Sequence, residues 1–122
     1  MIKVLIKADS RYPVDRERVR KKVREVLKKH GVKEGVEVGV VFVGDRKMAE
    51  LNKKYLKREG TTNVLSFSLE AAEFPDEILR LGEVIISYPQ ALKEAAEENL
   101  LVDEKIDKLL EHGILNLLGV GE

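Results

Sequence analysis

Residues 112–122 organise the chain, and they read His112-Gly113-Ile114-Leu115-Asn116-Leu117-Leu118-Gly119-Val120-Gly121-Glu122. The first part has the spacing of the end of an amphipathic helix, and Gly119 and Gly121 permit the positive φ angles of a turn after it. His112 and Asn116 are four residues apart, so they share one helical face, as two metal ligands from one helix do. The turn allows Glu122 to be the third arm, so the stretch predicts a candidate metal site.

This stretch resembles the signature of the YbeY family, metal-dependent endoribonucleases associated with ribosomal RNA maturation. The family signature is His-Gly-x-Leu-His-Leu-x-Gly-Tyr-Asp-His. Five of its positions match, namely His112, Gly113, Leu115, Leu117 and Gly119. The second and third metal histidines are Asn116 and Glu122 in this chain, and the Tyr and Asp are Val120 and Gly121. The frame of the signature is present, but its metal-binding chemistry is degraded.

Two further blocks resemble the same family. They are Leu51-Asn52 with Tyr55 and Thr62-Asn63-Val64-Leu65-Ser66-Phe67, and then Leu81-Gly82-Glu83-Val84-Ile85-Ile86. The resemblance implies a strand beside the metal-bearing helix and a functional arginine directly after the tyrosine. Leu56 stands at the position of that arginine. Arg58 lies two residues further on, a shift that need not aim a guanidinium at the same phosphate.

The order of apolar patterns predicts an α/β (α+β) fold with a mixed four-stranded sheet and helices on its faces. Strands are expected near residues 2–8, 36–43, 63–68 and 82–87. The first two strands flank a helix, so a right-handed crossover should make them parallel. The strands of Ser66 and Val84 are expected to be antiparallel neighbours. The resemblance implies a YbeY-like domain that is C-terminally shortened, because the family normally continues past the signature.

Four helices are predicted, and the residues expected to start them are Asp15, Asp45, Pro89 and Asp103. The first should end at Gly31, where His30 is interpreted as a helix-end residue rather than a metal ligand. The second should end near Lys54. The inward side chains of the third are expected to be Ala91, Leu92, Ala95 and Ala96. Residues 70–81 are predicted to be a polar connection with one helical turn around Asp76 to Leu79.

Length and composition restrict the class of protein. A chain of 122 residues is expected to form one domain, residues 1–122, with a core that needs no disulfide. The absence of cysteine fits a reducing compartment and excludes thiolate metal sites and cysteine nucleophiles. No apolar run approaches the ~20 residues of a membrane span. A cytoplasmic protein with no membrane partner is therefore expected.

The charge is divided unevenly along the chain, although the net charge is zero. Residues 1–62 carry 18 Lys and Arg against nine Asp and Glu, and residues 63–122 carry four against 13. A basic surface could meet RNA, or the charged helix faces could simply be solvated. The candidate RNA-binding residues are Arg46, Lys47, Lys53, Lys54, Lys57 and Arg58, together with the helix of residues 16–29. No DNA partner is expected, and the oligomeric state is left open.

The candidate metal site lacks the donors of a zinc hydrolase. Such an enzyme needs about three imidazole, thiolate or carboxylate ligands and an open position for water. The chain offers the imidazole of His112, the neutral amide of Asn116 and the carboxylate of Glu122. No cofactor is therefore expected to bind with high affinity, and zinc is the metal expected if any binds.

Three functions stay open from the sequence. The first is a catalytically inactive YbeY-fold protein, either a decayed relative or a redesigned scaffold. The simultaneous changes at Leu56, Asn116, Gly121 and Glu122 favour it. The second is a weak metal-dependent hydrolase of single-stranded RNA that uses His112, Asn116 and Glu122. The third is a non-catalytic module that binds RNA or the ribosome weakly. The sequence does not separate decay from redesign.

Overall fold

The computed structural model describes residues 1–68 and 79–120. Along these residues the elements are β1 (Ile2–Ala8), α1 (Arg16–Lys29), β2 (Val36–Val43), α2 (Asp45–Leu56), β3 (Val64–Ser68), β4 (Leu79–Ser87), α3 (Tyr88–Glu98) and α4 (Val102–Leu118). The four strands form one mixed sheet with helices against it. The predicted α/β class is confirmed.

The sheet has the strand order β1-β2-β4-β3. β1, β2 and β4 are parallel, whereas β3 pairs antiparallel with β4 and places Ser66 opposite Val84. Both pairings expected from the sequence are confirmed. Among the described residues, β3 is the edge strand next to β4. The helices α4 and α2, which pack on opposite faces of the sheet, can both contact it.

β4 begins at Leu79, three residues before the predicted start. The Leu79 amide donates a hydrogen bond to the Gly35 carbonyl at 2.8 Å, and Leu79 pairs with Val36 in the parallel ladder. This strand pairing replaces the end of the helical turn predicted around Asp76 to Leu79. The remainder of that predicted connection, residues 70–78, lies outside the described residues.

Asp45 and Asp103 were predicted as N-caps of the second and fourth helices, and both assignments are wrong. The N-cap of α2 is Gly44, because the Asp45 carboxylate accepts hydrogen bonds from other elements instead. The N-cap of α4 is Leu101, whose amide donates to the Glu104 carboxylate at 2.9 Å. Asp103 therefore lies inside the first turn of α4. The predicted cap of α1 is confirmed, since the Asp15 carboxylate accepts from the Arg18 amide.

The ends of the first two helices fall close to their predicted positions. His30 is the C-cap of α1, which confirms the prediction that it is a helix-end residue. α2 continues two residues beyond Lys54 and ends at Leu56, with Lys57 in the left-handed conformation at φ 58°. The extra residues place Tyr55 and Leu56 on the helix rather than in the following loop.

The inward face of α3 is narrower than predicted. Ala91 and Ala95 are buried, whereas Leu92 is 49% exposed and Ala96 is exposed. Ala91 and Ala95 are four residues apart, so they lie in one line along the face of α3 that packs on the core. Local apolar spacing therefore overestimated the buried surface of α3.

The core is divided by the sheet into two clusters. α1 and α4 pack on the first face, and α2 packs on the second. The larger cluster includes Val23, Leu27, Val38, Val40, Phe42, Val84, Ile86, Leu110 and Ile114, and the smaller one is Met48, Leu65 and Ile85. In the described ranges, no helix is long and apolar enough to span a membrane. The cytoplasmic location stays a prediction.

Candidate functional site

α4 lies unusually close to the sheet at Gly113. A Cβ atom at this position would be 2.6 Å from Cγ1 of Val84, which is closer than side chains pack. The Ser66 hydroxyl donates a hydrogen bond to the Gly113 carbonyl at 3.1 Å. Gly113 therefore allows α4 to rest on β3 and β4, and this contact sets the position of the neighbouring His112 side chain.

His112 and Asn116 occupy one exposed face of α4, as the sequence predicted. α4 ends two residues after Asn116, at Leu118. Gly119 follows in the left-handed conformation at φ 75°, and its amide donates to the Asn116 carbonyl at 3.1 Å. The predicted glycine turn is thus present at Gly119. Glu122, the third predicted arm, lies outside the described residues.

The donors on this face do not fit a zinc hydrolase centre by themselves. His112 supplies one imidazole, and Asn116 supplies a neutral amide, which is a weak zinc ligand. Across residues 1–68 and 79–120, no cluster of three or more His, Cys, Asp or Glu residues is placed to hold a metal ion. The lack of a tight zinc site remains a prediction, because Glu122 is not described.

The second part of the site is the end of α2. Leu56, at the position where the family has arginine, is the last residue of the helix and is 43% exposed. Tyr55 packs edge-on against Phe67 of β3, with 5.0 Å between the ring centroids. Ser66, the neighbour of Phe67 in β3, instead contacts α4. The α2 and α4 parts of the site therefore lie on opposite faces of the sheet, with the edge strand β3 between them.

The six candidate RNA-binding residues do not form one cluster. All six are exposed. Arg46 and Lys47 lie in the first turn of α2, about 15 Å along the helix axis from its far end. The other four, Lys53, Lys54, Lys57 and Arg58, lie together at that far end. We call these four residues the α2-end cluster.

The basic residues of α1 are more extensively paired with acids than the α2-end cluster. Arg18 makes a two-nitrogen contact with Asp107 of α4, with a shortest distance of 2.9 Å. Lys22 lies 3.1 Å from Glu25 and 3.9 Å from Glu111. Within the part of the chain that the structure describes, the α2-end cluster makes no ion pair. Arg18, Arg20 and Lys22 are thus the basic residues of α1 that pair with acids among the described residues, and the other five remain available to an anionic partner, as the α2-end cluster does.

Asp45 organises a polar network that the sequence interpretation missed. Its carboxylate accepts hydrogen bonds from the Ser87 hydroxyl at 2.8 Å, the side-chain amide of Gln90 at 3.2 Å and the Thr61 hydroxyl at 3.1 Å. Burial acts to raise the pKa of Asp45, but these hydrogen bonds outweigh it and hold the pKa below its ordinary value. The network ties the loop after α2 to the start of α3.

A sequence signal for this network exists. Asp45 and Ser87 each stand at the carboxyl end of a buried strand, and β2 and β4 are parallel neighbours. Carboxyl ends of parallel neighbours meet at one edge of a sheet, where polar side chains converge. The sequence alone did not reveal this role, because an Asp that follows a strand is also a common helix N-cap.

Replacing Asp45 with asparagine should make stability less dependent on pH. The lowered pKa of Asp45 contributes stability that is present above the ordinary value of 3.8 and lost as the pH falls through the lowered pKa. At neutral pH we expect Asp45→Asn to lower the free energy of unfolding by about 1 kcal/mol. The difference from the unmodified protein should shrink in acid, as measured by urea unfolding across pH. Glu59→Gln controls for loss of a charge, and a difference that stayed constant into acid would contradict the assignment.

A second network joins β3 to the two last helices. Lys105 of α4 is largely buried and contacts Glu98 at 2.9 Å and Glu94 at 3.1 Å. Glu94 also accepts a hydrogen bond from the Asn63 side chain at 3.0 Å. The hydrogen bond from Lys105 to Glu98 is the largest cause that raises the pKa of Lys105. This network has a structural role, since it fixes the start of β3 beside α3 and α4.

Comparison with known proteins gives a consistent match over the chain. The family model described as Endoribonuclease YbeY matches residues 5–121. The Endoribonuclease YbeY of Dehalococcoides mccartyi is 37% identical over 130 residues, covering 97% of this chain and 81% of that protein. That of Syntrophus aciditrophicus is 36% identical over 110 residues, covering 87% of this chain and 66% of that protein. The resemblance found in the sequence is confirmed.

A solved structure shows the same fold. The solution structure of a Thermotoga maritima protein superimposes with a TM-score of 0.62, at 23% identity, over 93% of this chain and 71% of that one. At this identity the similarity supports the fold alone.

Proposed function

The chain belongs to the YbeY family, and we propose that it is a catalytically inactive member that contacts single-stranded RNA weakly. The observation that carries this proposal is the donor set on α4. His112 stands at the first metal position, but Asn116 presents an amide where the family has the second imidazole. A metal that activates water needs ligands that hold it firmly while one position stays open. One imidazole beside one amide gives little support to such a centre.

The change at Leu56 supports the same proposal. Phosphate ester cleavage places negative charge on phosphoryl oxygens, and a fixed guanidinium stabilises that charge. Leu56 offers an apolar side chain at the exposed end of α2. Arg58 is exposed beyond the turn at Lys57, so it follows a different backbone direction. This chain is therefore expected to bind RNA without cleaving it. The cations that contact phosphates remain, whereas the arginine that the family has at position 56 is absent.

The α2-end cluster supports the RNA contact. Four cations lie within one helical turn and the residues that follow it, and phosphate contacts of this kind release counterions. With four cations the affinity should be low, and log affinity should fall against log salt with a slope of about −3. A weak hydrolase that uses His112, Asn116 and Glu122 is the alternative, favoured by the shared exposed face of the first two residues.

The unmodified protein should not cleave single-stranded RNA, with or without added zinc or manganese. The measurement is gel analysis of a labelled single-stranded RNA, with the Endoribonuclease YbeY of Dehalococcoides mccartyi assayed beside it. His112→Ala is the matched control for a contaminating nuclease, because the residue is exposed and its loss should not disturb folding. Cleavage that a chelator abolishes and that His112→Ala and Glu122→Ala both remove would establish the hydrolase instead.

A further inference from the structure

Tyr55 presents an aromatic ring to solvent at the end of α2. It is 52% exposed, although it contacts Phe67 at an interplanar angle of 60° and the Lys54 ammonium lies 5.2 Å from its ring centroid. Leu56, the next residue, is 43% exposed. Two large apolar side chains in sequence thus form a small exposed patch that the core does not use.

Core packing explains only part of this arrangement. The core on the α2 face is made by Met48, Leu65 and Ile85, with Phe67 partly buried against it. Tyr55 forms an edge-on aromatic pair with Phe67, a contact that adds about 1 kcal/mol beyond the buried area. This contact nevertheless leaves about half of the Tyr55 side chain in water, available to a partner.

The backbone around the patch is held in place. The Asn52 side chain is buried and donates a hydrogen bond to the Gly60 carbonyl at 3.0 Å, which ties the loop after α2 back to the helix. Thr61 adds a second tie through its hydrogen bond to Asp45. The residues between, including Lys57 and Arg58, are exposed on this anchored loop. The cations therefore have a fixed base beside the ring.

We propose that Tyr55 is a stacking platform for one unpaired base of single-stranded RNA, with Lys54, Lys57 and Arg58 meeting the adjacent phosphates. This inference rests on the RNA contact proposed above and identifies its non-electrostatic part. An aromatic ring flanked by cations is the arrangement used by proteins that bind single strands, because every base has a face that can stack. Leu56, which is 43% exposed, extends the apolar surface beside the ring.

The charge around the patch selects the partner. The α2-end cluster brings four positive charges, and Glu59 is the one acidic residue between Lys53 and Gly60. An anionic chain with planar groups complements both the charge and the ring. The Lys54 ammonium can leave the ring for a phosphate at little cost, because a cation–π contact at an exposed site is weak.

The test compares two oligomers that carry the same phosphates. Fluorescence anisotropy at low salt would use a labelled oligouridylate and an abasic oligomer of equal length. Tyr55→Ala and Tyr55→Leu should each weaken oligouridylate binding about tenfold and leave abasic binding unchanged. Tyr55→Phe should keep the affinity, since it keeps the ring face. Leu92→Ala removes an equally exposed apolar side chain on α3 and should have no effect.

Salt dependence separates the ring from the cations. The slope of log affinity against log salt should be the same for Tyr55→Ala and the unmodified protein. The double variant Lys57→Ala, Arg58→Ala should bind both oligomers more weakly, with a slope that is shallower by about 1.4. If the unmodified protein bound both oligomers equally, or if Tyr55→Phe lost as much as Tyr55→Ala, the platform would be wrong and the RNA contact would stand. Failure to bind either oligomer at low salt would overturn both proposals.

Discussion

Replacing Asn116 and Glu122 with histidine is expected to produce a chain that retains about one zinc ion through a mild chelator. The unmodified protein should retain none. α4 already places positions 112 and 116 on one exposed face, and the left-handed turn at Gly119 follows directly. Three imidazoles are a complete protein ligand set for zinc with an open water position. Dialysis against zinc and then chelator, followed by elemental analysis, measures the change.

The controls for this experiment separate a built site from chance binding. His112→Ala in the double-histidine background should remove the bound zinc, because two imidazoles remain. Adding Leu56→Arg should leave zinc binding unchanged, since Leu56 ends α2 on the other face of the sheet. RNA cleavage is expected to recover less readily than zinc binding, because turnover also needs the substrate to be positioned. If the double-histidine variant retained no zinc, position 122 would not converge on His112.

Gly82→Ala is expected to destabilise the protein by about 3 kcal/mol or more. Gly82 lies in β4 at φ 143°, a conformation that side chains rarely adopt, and an added Cβ would collide with the Phe67 carbonyl of β3. The same Cβ would lie 2.9 Å from the side chain of Leu117 in α4. The substitution therefore disturbs the β3–β4 pair and the helix above it at once. Urea unfolding followed by circular dichroism measures the loss.

Gly60→Ala is the matched control for the collision. Gly60 has a positive φ of 86°, but an added Cβ would meet nothing within 4 Å. Its replacement should cost about 1 kcal/mol through backbone strain alone. The excess loss in Gly82→Ala then reports the close contact between β3, β4 and α4. Equal losses in the two variants would show that this contact does not limit stability.

Much of the fold could be predicted from local pattern. β1, β2 and α1 have bounds within a residue of those expected, because alternating and 3.6-residue apolar spacings are strong there. β4 was predicted too short, since Leu79 and Arg80 pair with β2 in a ladder that no local signal encodes. Leu92 likewise has the spacing of a buried residue, but tertiary packing leaves it 49% exposed.

The candidate site, like the fold, was predicted from the sequence only in part. The sequence by itself determined the family, the face shared by His112 and Asn116, and the loss of arginine at Leu56, because each depends on residue identity at short spacing. Only the tertiary structure decided that Arg18 and Lys22 of α1 pair with Asp107 and Glu111, while no ion pair of the α2-end cluster occurs among residues 1–68 and 79–120. It also decided that Asp45 joins Ser87, 42 residues away. These contacts arise only when the folded sheet and helices bring distant segments together. The burial of a residue and the charges around it depend on that tertiary packing, so a local sequence pattern does not predict them.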